Sequence, residues 1–432
     1  MWFLLITAIM LLLSSRIVNK KIYYPTTVFC FAWTIVLSLL CIQIYDIEIE
    51  ERSFFIIFIM LLAFPLGSFI AIGLRKRKHI INNAYSDEES RFSNKYVLRK
   101  GLFFALCIFS IAILLIDEIS IIHNVISGNS FYYILRETGG AQTVEISGIK
   151  GLMYLFIVYP LSYCVSPVCA IEIIAPHNSA REKILLGAIN FLFIFLSAMH
   201  HGARLLIVLG IFTYLCVFKF YDKKINLSKK VKRRLYFMIA IAVSTIVWLS
   251  LSRGIENIFG SFYIYFICEF PVMENFLNST VYSRHTFGYL SLNGFFYPVM
   301  QLLKIIGIQP PEVYNYTQEI RRFLETFIYI EKYGHTVNSF LPAGAYVYID
   351  GGYVLEFIGI LVTGILSQKV FDNFEKIKNC RNMYIMVFAL IGVFFSFFRF
   401  YFTSYHYALG LLYVFILYRP NTGRRIRVKF RP

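Results

Sequence analysis

The sequence predicts an all-α polytopic membrane protein: about eleven transmembrane helices and one large loop on one side. Three observations predict it. Of the 432 residues, 58% are hydrophobic and 16% charged, against roughly 25% charged in soluble domains. Apolar runs near 20 residues, the length that crosses a bilayer, recur along the whole chain. The runs are continuous rather than alternating, which selects helices over a closed barrel.

The spans fall at about 2–15, 26–45, 53–74, 101–120, 151–174, 184–200, 205–221, 235–252, 352–371, 383–402 and 403–418. The first lacks a basic leader, and Arg16, Lys20 and Lys21 follow it. It therefore reads as a retained span with its N-terminus outside, not a cleaved signal. Threading the spans divides the connections into two sets. One set (16–25, 75–100, 175–183, 219–234, 369–382 and the tail from 419) carries 31 of the 42 Lys and Arg residues. The positive-inside rule makes that set cytoplasmic, and the C-terminus with it. The same rule accounts for the net charge of +17 without nucleic acid as a partner. The eight cysteines show no metal-binding spacing and fall mostly inside apolar runs, as thiols packed in helices do.

The outer side has loops at about 121–150 and 253–351. In the larger, Val313, Tyr316, Ile320, Phe323, Leu324 and Phe327 recur at helical spacing after Pro310-Pro311 and before Gly334. These predict an amphipathic helix at the outer interface or capping the bundle. A second short helix is expected at Phe295–Ile306. The chain is one integral membrane domain, with no internal repeat and no soluble enzyme domain.

Outer cations are scarce, and Arg52, Arg204, Arg253, Arg284, Arg321 and Arg399 are among them. Arg204 opens a span in "AMHHGARLLIV", and Arg253 closes one. Ionisable groups at such positions mark function by default. A guanidinium fork suits phosphate, and a cluster of them stabilises a departing pyrophosphate without a metal. Bland roles compete: Arg399 suits snorkelling to headgroups, and Arg321 suits an exposed pair with Glu325 one turn on. For a general base, His335 and His285 are the best-placed histidines. Asp350, in "YIDGGYVLEFIG", stands where it can cap the N-terminus of the next span. No metal site is expected, because no His or carboxylate spacing suits one.

In the order of these segments the chain resembles the O-antigen polymerases, bacterial membrane proteins that polymerise oligosaccharide repeat units. The resemblance runs through "HHGARLLIVLG", "GSFYIYFICEF", "FGYLSLNGFFYPVMQLLKIIG" and "HTVNSFLPAGAYVYIDGGYVLEFIGILVTGIL". Members often read Asp-Phe-Gly where this chain has Asp350-Gly351-Gly352, and Ser where it has His201. The resemblance implies a GT-C-like bundle in the bacterial inner membrane, with its large loop and its site on the periplasmic face. It implies an inverting-type glycosyltransferase that needs no cofactor. The enzyme would move an undecaprenyl-pyrophosphate-linked glycan onto the non-reducing end of another lipid-linked repeat unit, alongside a chain-length regulator protein. Carried onto this chain, pyrophosphate binding falls to Arg204, Arg253 and Arg284, and the base to His335 or Asp350. An O-antigen ligase differs only in its acceptor. A flippase or transporter would more often show internal repeats and short loops.

Overall fold

A computed structural model gives the architecture. It describes the chain apart from residues 19–22, 45–46, 82–94, 127–147, 176–177, 202–204, 221–232, 234–243, 245–257, 326, 331–334, 339 and 422–432, and in a few flanking segments, 325–338 among them, it describes backbone only. The chain is an all-α membrane protein. Seven described helices are long and apolar enough to cross a bilayer: α2 (Pro25–Ile42), α3 from Glu51, α4 from Lys100, α5 (Gly148–Ile174), α6 from Ala180, α12 (Ala343–Lys376) and α13 from Cys380. Three shorter apolar helices join them: α1 (Trp2–Val18), α7 (Leu205–Phe220) and α14 (Tyr405–Leu417). The expected span at 235–252 lies outside the described residues, apart from an isolated helical position at 244.

Between α7 and α12 the chain builds a cap: α8 (Ile258–Ile267), α9 (Glu269–Leu277), α10 (Asn293–Ile305) and α11 (Glu312–Glu325). Strands β2 (Phe327–Ile330) and β3 (His335–Asn338) follow as an antiparallel hairpin. The sequence assigned Phe327 to the amphipathic helix. It instead opens β2, where Phe-Ile-Tyr-Ile combines the aromatic and β-branched side chains that favour a strand. The helix itself caps the bundle: Tyr314, Tyr316, Thr317, Ile320, Arg321 and Leu324 are buried on its inner face.

Contacts gather the connections at two ends. At one, β1 (Tyr96–Leu98) pairs with β4 (Tyr418–Pro420), Arg75 bridges to Asp372 at 2.9 Å, and Lys100 bridges to Glu182 at 2.6 Å. At the other, under the cap, Lys150 bridges to Asp117 at 2.7 Å, and Arg52 Nε donates to the Tyr348 hydroxyl at 3.0 Å.

The tightest helix pair is α3 with the long arm of α12. A Cβ on Gly67 would fall 2.0 Å from Leu361 O, and one on Gly364 would fall 2.2 Å from Phe64 O. Only glycine admits backbones this close, which is how helices pack where lipid removes the hydrophobic incentive. The buried relay Thr26 to Ser68 to Gln368, at 2.5 and 2.9 Å, fastens the pair. In the largely buried α5, Pro160 has no N–H to give the Phe156 carbonyl. The Tyr413 hydroxyl supplies that bond at 2.5 Å. One turn of π-helix, Tyr154–Val158, lies just before it. Such a turn inserts one residue and re-aims the side chains on either side.

Candidate functional site under the cap

The site begins with a break. Within α12, Gly351 is extended (φ −172°) and Gly352 is left-handed (φ 69°), a conformation that costs any residue with a Cβ. The break divides α12 into a short arm, 343–350, and a long arm, 353–376. The two arms fold back on each other. A Cβ on Gly344 would fall 2.7 Å from Glu356 Oε1, and one on Gly359 would fall 2.7 Å from Val347 Cγ1. In one straight helix residues 344 and 356 would be about 18 Å apart. The short arm also runs against α3: Gly344 N–H points to Met60 Sδ at 3.1 Å, and Tyr348 meets Arg52. It therefore starts about 14 Å along α3 from Glu51, at 1.5 Å per residue, and rises to the capped end.

Asp350 ends this arm and is fully buried. Its carboxylate accepts hydrogen bonds from the Thr286 hydroxyl, from Leu290 N–H at 3.1 Å and from Ser291 N–H at 3.0 Å. The last carbonyls of the arm are met as well. Thr286 N–H donates to Ile349 O at 3.3 Å, and Phe287 N–H donates to Asp350 O at 2.9 Å. Phe287 (φ 50°) and Gly288 (φ 89°) carry the segment around this anchor. Asp350 does not cap the start of its own helix. It holds residues 286–291, which lead into α10.

The same wrap seats His285. Its Nδ1 lies 3.1 Å from Ile349 O. A carbonyl only accepts, so Nδ1 carries the proton and Nε2 keeps its lone pair in the neutral ring. The Nε2 edge lies by Gly352, 3.9 Å from a Cβ built there. Arg52 stands nearby, over the rings of Tyr282 and Tyr348 at 5.1 and 5.4 Å, with Nη1 donating to Leu277 O at 3.2 Å. Burial pushes the Tyr282 phenol up to about 12, with Tyr348 adding to the shift and Arg52 opposing it. An open depression of about 520 Å³ beside them is lined by Glu50, Glu51, Arg52, Phe55 and Tyr353.

A second group of side chains extends the site across the cap. Arg321 is 9% exposed; its guanidinium lies over Tyr297 at 5.3 Å and donates to Gln318 Oε1 at 3.2 Å. This corrects the expected exposure of Arg321, because the apolar face of α11 turns it into the bundle; the Glu325 side chain expected to pair with it lies outside the described residues. From Gln318 a neutral relay continues: Gln318 Nε2 to Asn293 Oδ1 at 2.9 Å, then Asn293 Nδ2 to Thr403 O at 3.1 Å. The Thr403 hydroxyl takes Arg399 Nε at 3.3 Å, and Arg399 covers Phe340 at 4.8 Å. Arg321 and Arg399 are thus joined through this relay of amides and a threonine.

Beside the relay runs an aromatic wall. Tyr297 stacks on Tyr405 at 4.9 Å, Tyr405 meets His406 at 4.1 Å, and His406 meets Tyr159 at 4.7 Å. Tyr159 meets Tyr154 at 5.0 Å, and Tyr154 stacks on His200 at 5.4 Å. The Tyr154 hydroxyl donates to Asp117, which also holds Lys150. Asp117, Tyr154 and Arg321 carry no motif that singles them out. Tyr154 and Tyr159 share the wall because the π turn rotates one toward the other.

Of the residues selected from sequence, Asp350 and Arg284 come together at the wrap. Arg284 is half-exposed, pairs with Glu312 at 2.7 Å and lies over Tyr316 at 4.9 Å, which ties the wrap to α11. Arg204 and Arg253 lie outside the described residues. His335 opens β3, but its side chain lies outside them too. Among the described residues no three His, Cys, Asp or Glu side chains converge as a metal set. No family model, no curated protein and no solved structure matches the chain.

Proposed function

We propose that the chain is a membrane glycosyltransferase of GT-C type with eleven spans, which polymerises lipid-linked oligosaccharide repeat units on the outer face of a bacterial inner membrane. The observation that carries this reading is the pairing of Arg321 and Arg399 through a neutral relay, under a cap and beside a wall of flat rings. A planar guanidinium fork suits a phosphate or pyrophosphate. Tyrosine faces suit stacking on sugars.

In this reading the acceptor sugar hydroxyl gives its proton to the Nε2 lone pair of His285 as its oxygen attacks the anomeric carbon of the donor. The anomeric C–O bond to pyrophosphate breaks with inversion, and undecaprenyl pyrophosphate leaves with the bonding pair. Arg321 and Arg399, with Arg204 and Arg253 as further candidates, stabilise the charge that develops on it. Asp350 positions His285 by anchoring the segment that carries it. The cap orients two bulky lipid-linked chains, which lowers the entropic part of the barrier.

The test is reconstitution of the purified protein in lipid with a lipid-pyrophosphate-linked repeat unit. A ladder of longer lipid-linked glycans is expected, with one undecaprenyl pyrophosphate released per bond formed. Arg321→Ala should slow it about 10²–10³-fold, the usual cost of removing one oxyanion donor, at normal membrane abundance. Transfer only to a lipid A core acceptor would assign a ligase. Movement of intact lipid-linked units across the bilayer without new glycosidic bonds would assign a flippase.

A further inference from the structure

Glu356 lies one turn past the break in α12, inside the span, and takes no part in the chemistry above. Its side chain is fully buried, and neither carboxyl oxygen has a hydrogen-bond partner among the described residues. Its neighbours are the start of the short arm and the middle of α3. Oε1 lies 2.7 Å from where a Cβ on Gly344 would be, and Met60 Cβ lies 3.1 Å from that same point. Glycine at 344 is therefore what lets the short arm close over the carboxyl. A carboxylate sealed this way has lost water and gained nothing in exchange, so the neutral acid is the form the site accommodates.

Among the described residues, Tyr353 at the start of the long arm interacts electrostatically with Glu356. The short arm contributes Tyr346 and Tyr348 and ends in Asp350. The part of α3 that meets it contributes Glu51 and Arg52 at the capped end. The flanking helices α2 and α13 carry Cys30 and Cys41, and Cys380, Arg381 and Tyr384. The short arm is the one element of this packing that ends in a hinge, at Gly351-Gly352, and its far end faces the cap. Discontinuous helices whose inner ends meet an ionisable group are the usual form of proton and ion sites in transport proteins.

We propose that Glu356 is a proton-binding site within the membrane, protonated while the short arm of α12 is seated on it, and that loss of this proton unseats the arm. The carboxyl gives its proton to water, and the carboxylate left behind requires solvation that the seated arm denies it. The inference rests on the fold alone and does not depend on the glycosyltransferase reading.

The full-length protein in lipid nanodiscs tests it by infrared spectroscopy and amide hydrogen exchange. Wild type at neutral pH should show a protonated-carboxyl C=O band that Glu356→Gln lacks and that sodium chloride does not remove. On raising the pH the band should fade, and exchange across 343–350 should accelerate at least tenfold beyond the acceleration in Glu356→Gln. A second measurement needs no variant: a hydrophobic carbodiimide should label Glu356 at neutral pH and fail to do so at high pH. Identical carboxyl bands in the two proteins would overturn the proposal, as would labelling that is absent at both pH values. So would a band removed by sodium at constant pH, which would mean a cation site, or exchange across 343–350 that does not depend on Glu356.

Discussion

Replacing Asp350 separates two roles that sequence alone leaves superimposed. As an anchor, its carboxylate satisfies the Thr286 hydroxyl and the N–H groups of Leu290 and Ser291, all in a buried setting. Asp350→Ala strands both N–H groups, whereas the hydroxyl can rotate toward another acceptor. A buried donor left without a partner costs about 1–3 kcal/mol, so the loss is about 2–6 kcal/mol, plus a small cavity. Asp350→Asn keeps one acceptor oxygen for the Thr286 and Leu290 side but turns an NH₂ toward Ser291 N–H, and should lose about half as much. Thermal unfolding of the purified protein in nanodiscs reads the stability, and limited proteolysis across 285–292 reads the wrap. The expected order is wild type, Asn, Ala in both, with the proposed polymerisation falling in parallel because His285, the proposed base, loses its seat. Loss of polymerisation in Asp350→Asn with unfolding and proteolysis as in wild type would refute the anchor reasoning and return Asp350 to the role of base.

Two further outcomes are expected. Gly364→Leu drives a side chain into the Phe64 carbonyl; it should separate α3 from α12, lose more than the 1–3 kcal/mol usual for overpacking, and show as reduced membrane abundance. Glu274 is held above the usual carboxylate range, chiefly by burial, with the nearby Glu50 carboxylate adding to the shift. Its contribution to stability is therefore full below roughly pH 4.3, the ordinary Glu value, and is lost as pH rises through the raised folded value. Glu274→Gln can still accept the Glu50 N–H bond and should flatten that decline in a pH series of unfolding temperatures; an unchanged slope would show that Glu274 ionises freely.

How much was legible follows from the range over which each feature is determined. Helix positions were readable because lipid imposes a local rule on every run. The expected spans at 26–45, 184–200, 205–221 and 403–418 match described helices at Pro25–Ile42, Ala180–His201, Leu205–Phe220 and Tyr405–Leu417 within a few residues. Of the cap helices, Glu312–Glu325 was readable from helical spacing with Pro and Gly as punctuation, and Asn293–Ile305 was expected as a second short helix at Phe295–Ile306. The hairpin after α11 was not, because Phe327 satisfies a helical stripe and a strand equally well until β3 pairs with it.

The candidate site was less legible, and its parts show why. Asp350-Gly351-Gly352 announces a turn, but not that residue 344 returns to residue 356. Arg321 looks like one of two adjacent exposed arginines until Tyr297 and Gln318 meet it on the inner face. The sequence by itself determined an all-α membrane protein, most of its helix ends and the segregation of its charge, since each is a one-body balance between a segment and its solvent. Only the tertiary structure decided the reversal of α12, the burial of Asp350 and Glu356, and the joining of Arg321 to Arg399. Each of those depends on a contact such as Thr286 with Asp350, 64 residues apart, and no local preference encodes which distant partner arrives.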